Sequence, residues 1–259
     1  MEFRPCIDIH NGKVKQIVGG SLKDLGDRAQ ENFVSEQDAA FYAKLYQKNS
    51  LKGGHIILLN ASDSPYYEAT KEQALSALRV YPGGLQVGGG ITAENAAEYL
   101  AAGASHVIVT SYVFREGRID YGRLDKLVQS IGKEHLVLDV SCKRAGEQYL
   151  VVTDRWQKLT EEAVDEALLK KLSVYCDEFL IHAVDVEGKA RGIEQELVKF
   201  IGNYTGNPIT YAGGVHSMED LYLLKKLGQN RMNVTIGSAL DLFGGNMKWE
   251  DVLAVCREK

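Results

Sequence analysis

The stretch LQVGGGITAENAAEYLAAGASHVIVTS at 85–111 is answered by ITYAGGVHSMEDLYLLKKLGQNRMNVTIGS at 209–238. In each, a short β-branched run ends in paired glycines, an amphipathic segment follows, and a second β-branched run ends in a serine. Gly89-Gly90-Ile91 matches Gly213-Gly214-Val215 at a separation of 124 residues, and Ser111 matches Ser238 at 127. Further out, the Asp8 of CIDIH matches the Asp139 of LVLDVS, 131 residues on. Self-similarity on so long a period marks an architecture that uses one supersecondary unit twice. The halves fall at about 1–131 and 132–259, each a (βα)4 unit. The alternative is a chance agreement of short glycine motifs.

The remaining sequence fits the doubling. Strand-like runs occur at 6–9, 55–59, 85–87, 106–110, 136–140, 179–184, 209–211 and 233–236. Apolar spacing at three and four residues predicts helices over 36–48, 68–80, 93–102, 120–131, 160–174, 194–202, 218–227 and 249–257. Thr92 and Ser217 stand at N-cap positions, and Asp220, three residues beyond Ser217, predicts a capping box. Eight βα alternations imply parallel strands joined by crossover helices. A chain of 259 residues fits one α/β domain, a (β/α)8 TIM barrel of about 250 residues.

Composition narrows the partners. Thirty basic against 35 acidic residues leave a net charge of −5, which disfavours nucleic acid and anionic membranes as partners. The four cysteines, Cys6, Cys142, Cys176 and Cys256, have no CxxC spacing and read as reduced thiols of a cytosol-like compartment. The N-terminus MEFRPCIDIH has no long apolar core and nowhere do 18 apolar residues run together, so neither a membrane span nor a signal peptide is expected. The expectation is a cytoplasmic monomer, or an organellar one if a transit peptide has been removed.

In such a barrel, chemistry gathers at the carboxyl ends of the strands. Gly88-Gly89-Gly90 and Gly213-Gly214 put bare backbone there, just before helix starts whose unpaired N–H groups suit an anion. Thr110-Ser111 and Gly237-Ser238 add donors beside each glycine turn. Strands 3 and 4 would build one phosphate pocket, strands 7 and 8 a second, and the ligand would carry a phosphate at each end. Strands 1 and 5 face each other across an eight-stranded barrel, so Asp8 and Asp139 would flank whatever lies between the pockets. Paired carboxylates in different environments serve as general base and general acid. The plainer role for each is a loop anchor.

Several other residues carry weaker signals. Trp156 lies in the long segment 141–159, where its ring would stack on a flat ligand or fold onto the barrel rim. The segment 10–35, with Gly12, Gly19, Gly20 and Gly26, far exceeds the usual roughly 2–6 residues of a βα loop and reads as a lid. His10 and His182 lack partners at ligand spacing, so hydrogen bonding or packing is expected rather than metal binding.

The segments CIDIHNGKVKQIVGG, LQVGGGI, VIVTS, LVLDVS, EFLIHAVDVEGKARGIE, YAGGV and TIGSALDLFGGN together resemble the ProFAR isomerases of histidine biosynthesis, most of all their eukaryotic-type branch. The resemblance runs from about residue 3 to residue 257. It implies a symmetric (β/α)8 barrel and a cofactor-independent Amadori rearrangement of an aminoaldose bisphosphate, ProFAR, to the aminoketose PRFAR. It also implies Asp8 as base and Asp139 as acid. Bacterial members place a threonine after strand 6 where this chain has Ala183, which throws attention onto Asp185 and Glu187, with Asp185 a rival acid. Many members also carry arginine where Thr92 stands. The cyclase half of imidazole-glycerol-phosphate synthase is the enzymatic rival, but it has lysine where this chain has Gln16. Phosphoribosylanthranilate isomerase needs only one phosphate pocket. A catalytically silent sugar-phosphate-binding protein would be expected to have lost Asp8 or Asp139.

Overall fold

The computed structural model describes every residue except 19–20, 23–26, 155, 188–190 and 259. Among the described residues, eight parallel strands run in chain order. They are β1 (Cys6–His10), β2 (Gly54–Leu58), β3 (Leu85–Gly88), β4 (His106–Val109), β5 (Leu136–Asp139), β6 (Glu178–His182), β7 (Ile209–Ala212) and β8 (Asn233–Thr235). Each pairs with its successor. The ring closes where Phe3 bridges Val234 in parallel. There the Arg4 N–H donates to the Val234 carbonyl at 2.9 Å, and the Val234 N–H to the Glu2 carbonyl at 3.0 Å. Helices α1 (Ala39–Lys48), α2 (Tyr67–Val80), α3 (Ala96–Ala101), α4 (Tyr121–Ile131), α5 (Glu166–Leu172), α6 (Gln195–Asn203), α7 (Met218–Leu227) and α8 (Trp249–Arg257) follow the strands in turn. This is the (β/α)8 TIM barrel.

Alternation along each strand divides the side chains between two cores. Ile7, Ile9, Ile56, Leu58, Val107, Val109, Phe179 and Ile181 face outward and pack with helix residues such as Leu124, Leu127, Leu197 and Ile201. Inside the barrel, Ile108, Val137 and Leu180 form a small apolar plug with Ile57 against it. Toward the amino ends of the strands, the buried Glu178 carboxylate accepts from Arg4, from Gln86 Nε2 at 2.9 Å and from the Thr210 hydroxyl.

The expected capping box of α7 is present, with Ser217 and Asp220 bonded reciprocally. Thr92, however, is not the N-cap of α3. That helix starts only at Ala96 after Asn95, and the Thr92 N–H donates to Asn95 Oδ1 at 2.8 Å. The helix expected over 160–174 shrinks to α5, because Lys158–Ala163 is a strand. Its buried Thr160 bonds the Val151 carbonyl at 2.9 Å, and its partner Gln148–Thr153 also pairs with Cys142–Ala145. The segment after β5 is therefore a three-stranded sheet, with Trp156 in the turn between its last two strands. In the segment after β1, Lys13–Ile17 pairs antiparallel with Glu31–Val34. Gly19, Gly20 and Gly26 lie outside the described residues.

Glu178→Ala would leave the Arg4 guanidinium, 12% exposed, with only the exposed Glu2 carboxylate at 3.5 Å. Removing one partner of a buried pair costs about 3–5 kcal/mol, so urea unfolding of this variant should show a stability loss of that size. A loss under about 1 kcal/mol would mean that the pair is already effectively solvated.

Candidate active site

Two cavities open at the carboxyl ends of the strands and share a wall. The first, about 330 Å³, is lined by Gly89, Gly90, Thr110, Ser111, Asp139 and Trp156; the second, about 360 Å³, by Gly213, Gly214, Gly237 and Ser238. Asp8, Gln16, His182 and Glu187 line both. The four glycine and hydroxyl features read from the sequence are thus brought together in two groups on either side of Asp8.

The glycine pairs share an unusual backbone. Gly89 and Gly90 have φ of 100° and 71°, and Gly213 and Gly214 have 118° and 78°, the left-handed region that glycine enters without penalty. A Cβ on Gly89 would sit 2.1 Å from the Leu58 carbonyl oxygen, and one on Gly214 2.1 Å from that of Gly192. The backbone N–H groups of Gly90, Ser111, Gly214 and Ser238 donate to no other described residue. Unpaired amides lining a cavity are ready donors for an anion. Just before the two helices three amides are otherwise engaged. Asn95 takes the Thr92 amide, and Asp220 takes those of His216 and Ser217. The amides of the glycine turns are thus unengaged where those of Thr92, His216 and Ser217 are taken.

Asp8 and Glu187, the carboxyls of the shared wall, are both shifted upward. Burial and then the charge of Glu187 raise Asp8 to about 7, against the lowering effect of its bond from Gln16, Nε2 to Oδ2 at 3.5 Å. Burial also raises Glu187, partly offset by His182. Asp139, on the opposite strand, is held by donors on both oxygens: Thr110 Oγ1 to Oδ2 at 3.0 Å, the Ser141 N–H to Oδ1 at 2.8 Å, and the Ser141 hydroxyl to Oδ1. The Thr110 hydroxyl thus serves Asp139 in this arrangement. Ser111 Oγ accepts the Asp154 N–H at 2.9 Å, leaving its own hydrogen to donate.

Asp185 does not join the group. It lines neither cavity, and its carboxylate accepts the Arg144 N–H at 2.7 Å. Ala183 also lines neither cavity. The side chain that β6 presents to both is His182, on the inward-facing register of Glu178 and Leu180. His182 Nδ1 lies 3.0 Å from Ser141 Oγ, and its ring centroid is 5.3 Å from that of Trp156. Its inward register follows from the two-residue alternation of EFLIH. Glu187 and Gln16 have no such signal, since each comes from a segment outside the eight strands. His10 is buried with neither ring nitrogen bonded to a described residue, which leaves it a packing role. His55, beside Cys6 near the amino end of β2, is pushed down to about 3 by burial, then by His182 and Arg4.

Fold and site together define a (β/α)8-barrel protein with a divided cavity at its loop face, carboxyl groups at the divide and glycine turns at either end. The chain belongs to the histidine biosynthesis protein family, whose model matches residues 2–248. It is 52% identical over 258 residues to the chloroplastic 1-(5-phosphoribosyl)-5-((5-phosphoribosylamino)methylideneamino)imidazole-4-carboxamide isomerase HISN3 of Medicago truncatula, covering 98% of this chain and 81% of that protein. To proteins of the same isomerase name it is 46% identical in Neurospora crassa, covering 94% of this chain and 93% of the relative. In Saccharomyces cerevisiae the figures are 41%, with 96% of each covered. No helix among the described residues is long and apolar enough to cross a membrane.

A negative Glu187 opposes the ionisation of Asp8, so Glu187→Gln should lower the Asp8 titration midpoint from about 7. Carboxyl carbon shifts of labelled aspartate, followed by NMR, read this directly. An unmoved midpoint would show that burial alone sets it.

Proposed function

We propose that this protein is the isomerase that converts ProFAR to PRFAR by an Amadori rearrangement, with Asp8 as general base and Asp139 as general acid. The carrying observation is the placement of Asp8 on the wall shared by two cavities that each hold a glycine turn with unpaired amides. A ligand with a phosphate in each turn has its middle at Asp8. The isomerase activity for which the plant and fungal relatives are named agrees with this reading.

The rearrangement needs a proton delivered to the ribose ring oxygen and a proton removed from C2. Asp8, raised to about 7, is poised to take a proton near neutrality, as a general base should be. It removes the C2 proton from the ring-opened form, giving an enolamine that tautomerises to the ketose. Asp139 faces it from the opposite strand. Its Thr110 and Ser141 partners are hydroxyls, which donate or accept as the carboxyl loses or gains a proton. Gln16 brings a neutral amide to Asp8. A lysine in its place would pair with the carboxylate and favour the charged form, which weighs against the cyclase-type reading. Trp156, its ring against His182 at the rim of the first cavity, offers a face to the flat imidazole carboxamide. Proton transfer alone accounts for the reaction, so no metal or organic cofactor is invoked. Four free thiols and the negative net charge suit a monomer in a cytosol-like compartment, or in an organelle as for the plant relative.

Conversion of ProFAR to PRFAR, followed by absorbance, tests the activity. Asp8→Asn should lower kcat by about 10²–10⁴ with substrate binding retained, and Asp139→Asn should lose most of the rate. Asp185→Asn keeps the acceptor for the Arg144 amide and should change kcat little. Near-native turnover by Asp8→Asn would remove it from the mechanism, and inactivity of Asp185→Asn alone would move the acid to the strand-6 loop.

The phosphate assignment has its own test. Ser111→Asp and Ser238→Asp each set a carboxylate against a phosphate dianion, so each should raise the substrate Kd through like-charge repulsion. Unchanged affinity in both would overturn the two-pocket arrangement.

A further inference from the structure

The floor of the second cavity holds a group of side chains that the proposed reaction uses only in part. On β1, Cys6 and Asp8 are two residues apart and so share the inward face, and the β1–β2 ladder sets His55 directly beside Cys6. The Cys6 sulfur, an Asp8 carboxylate oxygen and a His55 ring nitrogen all lie within 4.8 Å of one another. We propose that these three residues form a binding site for a thiophilic divalent cation such as Zn²⁺, and that its occupancy withdraws Asp8 from the reaction. The second half of this inference rests on the proposed role of Asp8; the first half does not.

One thiolate, one imidazole and one carboxylate make a three-ligand zinc set with a fourth position open. Donors sharing a tetrahedral ion with bonds of about 2.0–2.3 Å lie roughly 3.3–3.8 Å apart. Closing the site therefore takes about 1 Å of side-chain movement. His55 is only 2% exposed, yet its ring makes no hydrogen bond to a described residue and lines the second cavity. Cys6 lines the same floor, where Gln16 Nε2, 3.7 Å from its sulfur, is a weak contact. The cavity supplies the entry route and space for a water as fourth ligand. On binding, the Cys6 S–H bond breaks, its proton leaves to solvent and a zinc–sulfur bond forms, with no change of oxidation state. Thiolate ligation selects Zn²⁺, Co²⁺ or Cd²⁺ over Mg²⁺ or Ca²⁺.

The test uses the full chain, stripped with a chelator and titrated with Co²⁺, whose bond to a thiolate gives a charge-transfer band in the near ultraviolet. One equivalent should saturate the band, Zn²⁺ should displace it and Mg²⁺ should not. Cys6→Ser should abolish the band, Cys256→Ser should keep it, and His55→Gln should weaken Co²⁺ binding tenfold or more. No band in the wild type, or a band that survives in Cys6→Ser, overturns the site. Should Cys6→Ser fail to fold, undiminished affinity in His55→Gln overturns it equally. In the activity arm, Zn²⁺ should abolish turnover, a chelator should restore it, and the inhibited fraction should fall in His55→Gln relative to its own uninhibited rate. Full activity with the site loaded overturns the inhibitory role. A protein that shows the band but never isomerises ProFAR overturns the proposed function and leaves the site standing.

Discussion

The backbone bonds between Val234 and residues 2–4 are what turn eight strands into a barrel, and the rest of the molecule depends on them. An open parallel sheet leaves two unpaired edges. Closure removes both and gives every strand an inside and an outside. Because all eight strands run the same way, all eight carboxyl ends open on one face. Asp8, Asp139 and His182 then meet around one space although they are far apart in the chain.

Inside the barrel, successive inward positions are layered by polarity. The Glu178 group with Arg4, Gln86 and Thr210 closes the amino end. The Ile108, Val137 and Leu180 plug lies above it, and the carboxyl-lined cavities lie above that. The Glu178 carboxylate there has donors on both oxygens, as a low-dielectric interior requires. The same surroundings act on the upper layer in the opposite sense. Among the described residues they leave Asp8 with one weak donor and a like charge in Glu187, which with burial raises the carboxyl to about 7. At the same end Asp139 has donors on both oxygens from Thr110 and Ser141, so the two strand-end aspartates sit in different environments.

The doubled architecture shows in the backbone as well as in the letters. Paired glycines at the ends of β3 and β7 take up the same left-handed conformations, because in each half a carbonyl of a neighbouring segment lies where a Cβ would be. What differs is the decoration. After β5 the chain inserts a three-stranded sheet whose turn carries Trp156 to the first cavity, and after β6 a short turn delivers Glu187 to the dividing wall. The two ends of the site are therefore alike in how they present amides and unlike in what else they offer a ligand.

The sequence by itself determined the eight alternations, the repeat, the glycine turns and the two strand-end aspartates. Each of these is local: a period of two or 3.6, a residue type that tolerates positive φ, or a match at fixed separation. It misplaced what depends on neighbours distant in the chain. Lys158–Ala163 has a helix-compatible pattern but is held as a strand by Gln148–Thr153. Thr92 is a good N-cap residue, yet Asn95 takes its amide. Asp185 looks reactive on a glycine-flanked loop, but the Arg144 amide takes its carboxylate, while Glu187 two residues on reaches Asp8. Only the tertiary structure decided these, because which of several adjacent carboxyls faces a cavity is set by the path of a turn and by the donors waiting there, and neither is written in the turn's own residues.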